Sequence, residues 1–420
     1  MYLLEEVPVR RNALQQPSSG PASRRRVDGR FLTDEPLAPY DRHVRRELAS
    51  WSAEALRRLD EAPEDPTERA AALARAHQDA ALIASYLDRP NEARLVCHAG
   101  LDCVAEHAET SGDEAILLLG FGPLVELSRL DARLGRTDEA LCVLERLAGL
   151  LRGQGLAFGA LSISAATWAR IGPGEGGAEG ALASMVAIET ERTLLGSGRH
   201  EAALEIARGQ APSPHDPVLE AMRREAYLVS LCRLGRGEEA LLVAALWAAE
   251  AHPIRRPIFE IRHAEALAAF GDPVRAHAIA EECVRRVESR LAAGPATLFD
   301  LTIAARVSRL LATLGDPLAG ELCRTALPAA TSLGDVPLTA ELALRILATD
   351  KRTEVRAEAL EALRAIATGS GYRIPAVERA VEAEDGPLLT RSLKERAPSY
   401  PRLFERLLGF PPDALDRSSK

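Results

Sequence analysis

The chain has 420 residues, 47% apolar and 27% charged, which excludes a disordered or fibrous chain and leaves room for two or three domains or one array of repeats. Aromatic residues supply only 4% and alanine and leucine dominate the apolar set, which argues against a sandwich or barrel core and for helices. Against 61 acidic residues stand 52 basic ones, and the net charge of −9 excludes a global basic field for nucleic acid or an anionic membrane.

Residues 1–42 differ from the rest. Met1–Val9 has the composition of an extended segment, and the stretch that follows, with Arg24–Arg26, has neither helical period nor core residues. This reads as a largely irregular arm, able to dock elsewhere through Phe31, Leu32, Leu37 and Tyr40. Its start lacks the pattern of a secretory signal, and no run in the chain approaches the ~18 apolar residues needed to cross a bilayer. Six cysteines, at 97, 103, 142, 232, 283 and 323, include no CxxC pair and read as reduced thiols. Together these features imply a cytoplasmic protein.

From residue 43 the chain is helical almost without interruption, with no sustained period-2 alternation, so no sheet is expected. What recurs is a turn. Residues 133–141 and 233–241 are identical at seven of nine positions, as Arg-Leu-Gly-Arg-x-x-Glu-Ala-Leu. Weaker copies surround Gly198, Gly271, Gly315 and Asp88, and the intervals between the six turns are 47, 63, 37, 36 and 44 residues. The glycine ends one helix in the left-handed conformation, Asp-Pro after Gly271 and Gly315 starts the next, and an alanine five residues on lets two helices cross closely. Such a period is that of a helical solenoid.

These turns, with the small-to-apolar spacings Ala140…Leu144, Ala240…Ala244 and Ala276…Ala280, resemble the tetratricopeptide family in the degenerate, long-repeat form of bacterial regulators and adaptors. The family's first-helix tryptophan and glycine–tyrosine pair are absent. The resemblance covers roughly residues 70–350 and implies an all-α, right-handed superhelical solenoid of antiparallel helix pairs, read as an array over 43–350, and protein–protein work. Residues 1–66 lack the DNA-binding module of peptide-sensing regulators with this architecture. The 63-residue interval accommodates an extra helix, about Ala157–Ile171 with Trp168, and then the glycine-rich loop Gly172–Gly180. Residues 351–420 read as C-terminal capping helices; in 401–408 the apolar residues fall at 403, 404, 407 and 408, one amphipathic face. Such a helix caps one chain or joins two, so a homodimer is one of two expected states.

Motifs that carry chemistry are few. Gly172–Gly177 fits GxGxxG without the strand that a dinucleotide site requires, and no GxxxxGK[ST] occurs. Cys97, His98, Cys103 and His107 form the densest set of metal-ligand types, yet only Cys103 and His107 share a helical face. His277 and Glu281 are also four apart; His200-Glu201 fails the zincin pattern because Leu204 stands where histidine is needed. No GxSxG elbow is present. The run at Arg24–Arg26, with Arg10, Arg11 and Arg30, reads as a solvated cluster. No metal, no cofactor and no nucleic acid is expected.

The remaining candidate is the inner face of the solenoid. Counting back from each turn, the first helices present Arg129, Arg133, Arg192, Glu225, Arg233, Glu265 and Arg309. Guanidinium groups in a row bind carboxylates bidentately, so the expected partner is a protein or peptide, acidic where it meets the row. The expectation is therefore an adaptor or regulator without catalysis. The alternative is a small-molecule-binding or catalytic accessory protein of a biosynthetic pathway, using the cavity of the superhelix and recognisable by a pocket where His, Asp or Glu side chains converge.

Overall fold

The recurrent turns close in one way. Gly135, Gly198, Gly235, Gly271 and Gly315 have φ between 71° and 98°, the region open to glycine at no steric cost. The residue after each glycine donates its N–H to the carbonyl five residues back: Arg136 to Asp131, Arg199 to Leu194, Arg236 to Leu231, Asp272 to Leu267 and Asp316 to Leu311, all at 2.8–2.9 Å. This is the Schellman closure, and it satisfies a carbonyl that the ending helix leaves bare. Asp272 then caps the next helix by accepting from the Arg275 N–H at 3.1 Å. Five residues past the turn glycine, Ala140, Ala203, Ala240 and Ala276 are fully buried. At the fifth turn Gly320 takes that place, where a Cβ would lie 3.0 Å from Thr349 Oγ1.

The computed structural model describes residues 48–61, 63–87, 89–172, 178–209, 217–251, 255–369, 374–385 and 401–408. The expected arm at 1–42, most of the glycine-rich loop and the turn residue Asp88 lie outside them. The helices are α1 (Leu48–Asp60), α2 (Pro66–Tyr86), α3 (Pro90–Ser111), α4 (Phe121–Arg133), α5 (Thr137–Leu151), α6 (Ala165–Ile171), α7 (Ala178–Gly196), α8 (His200–Gly209) and α9 (Pro217–Arg233). They continue as α10 (Gly237–Glu250), α11 (Arg256–Phe270), α12 (Pro273–Ala293), α13 (Leu298–Leu314), α14 (Leu318–Leu333), α15 (Val336–Thr349), α16 (Thr353–Gly369), α17 (Pro375–Asp385) and α18 (Pro401–Leu408). A 3₁₀ helix, Glu114–Gly120, leads into α4.

Among the described residues the molecule is all-α apart from one hairpin, and its helices pack consecutively along the chain. Each recurrent turn joins a first helix to a second: α2 to α3, α4 to α5, α7 to α8, α9 to α10, α11 to α12, α13 to α14. Every first helix from α2 to α13 also touches the next first helix, and the series continues onto α15. Among the described residues, the second helices meet one another substantially only at α12 and α14.

Two expectations are corrected. A sheet does exist: β1 (Leu156–Phe158) and β2 (Leu161–Ile163) form an antiparallel pair with Leu156 opposite Ile163. The extra helix expected from Ala157 therefore starts only at α6. Gly153 and Gly159 have φ of 75° and 57°, which breaks the helix before Phe158 and tightens a two-residue turn after it. Leu156, Leu161 and Ile163 are buried, and Leu161 fills the space over Gly120, where a Cβ would come within 2.7 Å of it. Two apolar positions per strand are too few for periodicity to register.

At the other end, α16 and α17 continue the packing from α15. The amphipathic helix expected over 401–408 forms as α18, and its main contacts are with α1, α2 and α3, at the start of the array. Leu403 and Phe404 are fully buried there, and Leu407 and Leu408 pack against the same core. The Arg406 guanidinium lies 3.2 Å from Asp60.

Candidate functional site

The seven residues read from the sequence all lie on first helices: Arg129 and Arg133 on α4, Arg192 on α7, Glu225 and Arg233 on α9, Glu265 on α11, Arg309 on α13. They do not form a row of free arginines. Arg129 donates to Glu189 of α7 at 2.6 Å and to Glu126 at 3.4 Å; Arg192 donates to the same Glu189 at 3.3 Å. Arg133 donates to Ser85 of α2. Glu225 and Glu265 hold Arg262 between them, at 3.0 Å from Nε and 2.8 Å from Nη1. Arg309 pairs with Glu341 of α15, which also lies 3.7 Å from Arg345. Arg233 is half-buried at the end of α9.

The result is a ladder of alternating charge that crosses from one first helix to the next. The sequence reading missed Glu126, Glu189, Arg262, Arg306, Glu341 and Arg345. A signal for four of them exists: Glu126, Glu189, Arg262 and Arg306 each stand nine residues before a turn glycine, three before the residue that the reading did select. Three residues is one turn of the same helical face.

Burial sets the electrostatics. Glu126, Glu225, Arg262 and Glu265 are each at most 2% exposed. Burial pushes the Glu126 carboxyl above its ordinary range, against the pull of Arg129 and Arg133, and its Oε1 has no hydrogen-bond partner. Burial also opposes the charge of Glu189, but Arg129 and Arg192 overcome it and hold this carboxyl below the ordinary range. Arg306 is drawn down to about 10, first by burial and then by Arg262 beside it. Arg345 is lowered by burial and by Arg309, and its Nε is buried without a partner. The α13–α15 end of the ladder therefore carries crowded positive charge. Between α7 and α9 the space beside Arg192 and Glu225 is only about 10 Å³, room for one water at most. The reachable parts are Arg133, which is exposed, and the side chains of Arg129, Arg192 and Arg309, which are 32%, 41% and 28% exposed.

A second feature lies away from the ladder. A cleft of about 590 Å³ opens between α10, α11 and α12, walled by Ala248, Ala249, Ala278 and Ile279 and rimmed by Arg256, Glu260, His263 and Glu282. It adjoins another of about 630 Å³ that shares Arg256 and Glu282 and runs on to Val287, Phe299 and Ile303. Burial and nearby Arg275 keep His263 below the ordinary imidazole range, which favours its neutral form.

The other candidates have structural partners. Cys97 is buried, and burial pushes its thiol far above the ordinary range; Cys103 is raised to about 11 for the same reason. His107 Nδ1 faces the Cys103 carbonyl at 2.9 Å, and His98 stacks on Phe158 with ring centroids 5.9 Å apart. Among the described residues no three His, Cys, Asp or Glu side chains converge as metal ligands. His277 joins Asp316 of the next turn and lies 3.7 Å from Glu281. No helix in the described residues is long and apolar enough to cross a membrane. No protein-family model matches this sequence, and comparison with the curated proteins returns no match.

Proposed function

We propose that the chain is a protein- or peptide-binding adaptor or regulator of tetratricopeptide-like architecture, without chemistry of its own. In this reading the helix pairs form a right-handed solenoid, with the first helices lining its concave side. The observation that carries it is the asymmetry of packing: each first helix touches the next, whereas the second helices seldom meet, as on the inner and outer sides of a curved stack. The charge ladder then runs along the floor of the groove. A partner segment would meet mixed charge over α4–α11 and a positive surplus at Arg309 and Arg345. The partner is accordingly a peptide that places an acidic group at that end. Cytoplasmic residence belongs to the same proposal and rests on the sparse, unpaired cysteines of the sequence.

The test is selection of peptides from a displayed random library on the full chain and on a variant with Arg309→Glu and Arg345→Glu, helicity being checked by circular dichroism. The wild type should enrich peptides with acidic residues at a fixed position, and the variant should lose that enrichment. The same peptides selected by both proteins would remove the groove from consideration. A second reading, a small-molecule-binding accessory protein, is favoured by the cleft where Glu260, His263 and Glu282 converge beside Arg256.

A further inference from the structure

The arginines around the α11–α12 clefts are matched to carboxylates, with one exception. Arg286 lies 2.5 Å from Glu260 and 3.0 Å from Glu282, Arg285 lies 2.7 Å from Glu282, and Arg290 lies 2.7 Å from Asp300. Among the described residues Arg256 has no carboxylate, carbonyl or hydroxyl partner, although its side chain lines both clefts and its Nε is buried from solvent. Among the described arginines that are not fully exposed, it alone is in this condition. Its position adds to the imbalance. Arg256 is the first residue of α11, where the helix end is itself positive, so no helical partner offsets the guanidinium. A buried donor without an acceptor is costly, and where it lines an open cleft, as here, a ligand can supply the acceptor.

The surroundings define what that ligand is. The wall beside Arg256 is apolar, made by Ala248, Ala249, Ala278 and Ile279, and the cleft volume of about 590 Å³ lies in the range of small-molecule sites. A guanidinium fork matches the two oxygens of a carboxylate. His263, held neutral, adds a ring nitrogen that donates or accepts without adding charge. Glu260 and Glu282 on the rim are already engaged by Arg286, and they disfavour a highly charged anion. We propose that Arg256 seats the carboxylate of a small organic acid whose apolar body lies along the Ala248–Ile279 wall. The site is independent of the first-helix ladder and stands whether or not that ladder binds peptides.

Isothermal titration of the full chain with 3-phenylpropanoate, octanoate, the neutral 3-phenylpropanamide and inorganic phosphate tests it. At least one of the two acids should bind saturably, with the amide and phosphate each weaker by about tenfold or more, because one lacks the charge and the other the apolar body. Arg256→Gln should weaken the acid by about tenfold or more, whereas Arg324→Gln, an exposed arginine on α14, should leave it within about twofold. Ala249→Trp, an exposed position on the wall, should abolish binding by filling the cleft. Circular dichroism of each variant separates loss of binding from loss of fold. Failure of both acids to saturate overturns the proposal. So does equal binding of the amide or of phosphate, or an Arg256→Gln variant that binds like the wild type.

Discussion

A charge buried on a helix face is tolerable only in company, and Arg262 shows how much company it needs. Its guanidinium is fully enclosed, and Glu225 and Glu265 hold its pKa up against the effect of burial. Arg262→Met leaves two buried carboxylates facing each other and is expected to cost about 3–5 kcal/mol in urea denaturation. Replacing all three residues (Glu225→Leu, Arg262→Met, Glu265→Leu) should recover most of that loss, since buried ion clusters gain little over apolar packing. Equal losses in the single and triple variants would mean that shape, not charge, governs the site. Glu126 and Glu189 share Arg129 yet should respond to pH in opposite senses. The Glu126 carboxyl is raised in the folded state, so its contribution is present at low pH and lost as pH rises. Glu126→Gln should therefore gain stability over the wild type as pH goes from about 4 to about 8. Glu189 is lowered, so its contribution is present at neutral pH and lost as pH falls through its folded pKa. Glu189→Gln should be the less stable protein at about pH 7, the gap closing below about pH 4. Chemical denaturation across that range checks both signs. Of these residues only Glu225 and Glu265, with Arg129 and Arg192, were read from the sequence; the spacing that also places Glu126, Glu189 and Arg262 was present but not used, and burial was not legible at all. It depends on how closely α4 approaches α7, which no single helix records.

At the scale of the element, the turn glycine and the crossing alanine are the repeated device, and both were legible because each enforces a rule that other residues break. Gly235→Ala, at φ 71°, should cost about 1–2 kcal/mol, and Ala276→Leu, in the closed crossing of α11 and α12, about 1–3 kcal/mol or more; thermal unfolding measures both. Gly320 sharpens the point. It departs from the alanine rule where Thr349 Oγ1 of the following pair would lie 3.0 Å from a Cβ, tighter than most such contacts, so an alanine there would need the Thr349 side chain to shift. The hairpin β1–β2 was illegible for a related reason. Two apolar positions per strand are too few to set a period, and what the local sequence does not show is the pocket that Gly120 leaves for Leu161, 41 residues away. Local pattern selected the helices; a distant glycine selected the strands.

At the scale of the whole molecule, the packing of α18 on α1–α3 is a contact that the repeats do not predict. An amphipathic helix was legible in the spacing of Leu403, Phe404, Leu407 and Leu408, but the helices it packs on were not, because amphipathicity specifies a face and never an address. Phe404→Ala should remove about 3–5 kcal/mol of local stability. Hydrogen exchange should then accelerate in α1, α2 and α3 and stay unchanged in α15–α17; acceleration in α15–α17 instead would place α18 at the far end. The exposed Arg406–Asp60 pair contributes little to this, and Arg406→Ala should leave exchange rates near those of the wild type. The docking also bears on synthesis. Asp60 and Arg406 are 346 residues apart in the chain. At ~5–20 residues per second, the synthesis of α1–α3 ends on the order of 15–60 s before the segment that covers them is translated. Throughout that interval the surface destined for Phe404 is open to chaperones and proteases. Helices α1–α3 are thus made well before the segment that completes their packing.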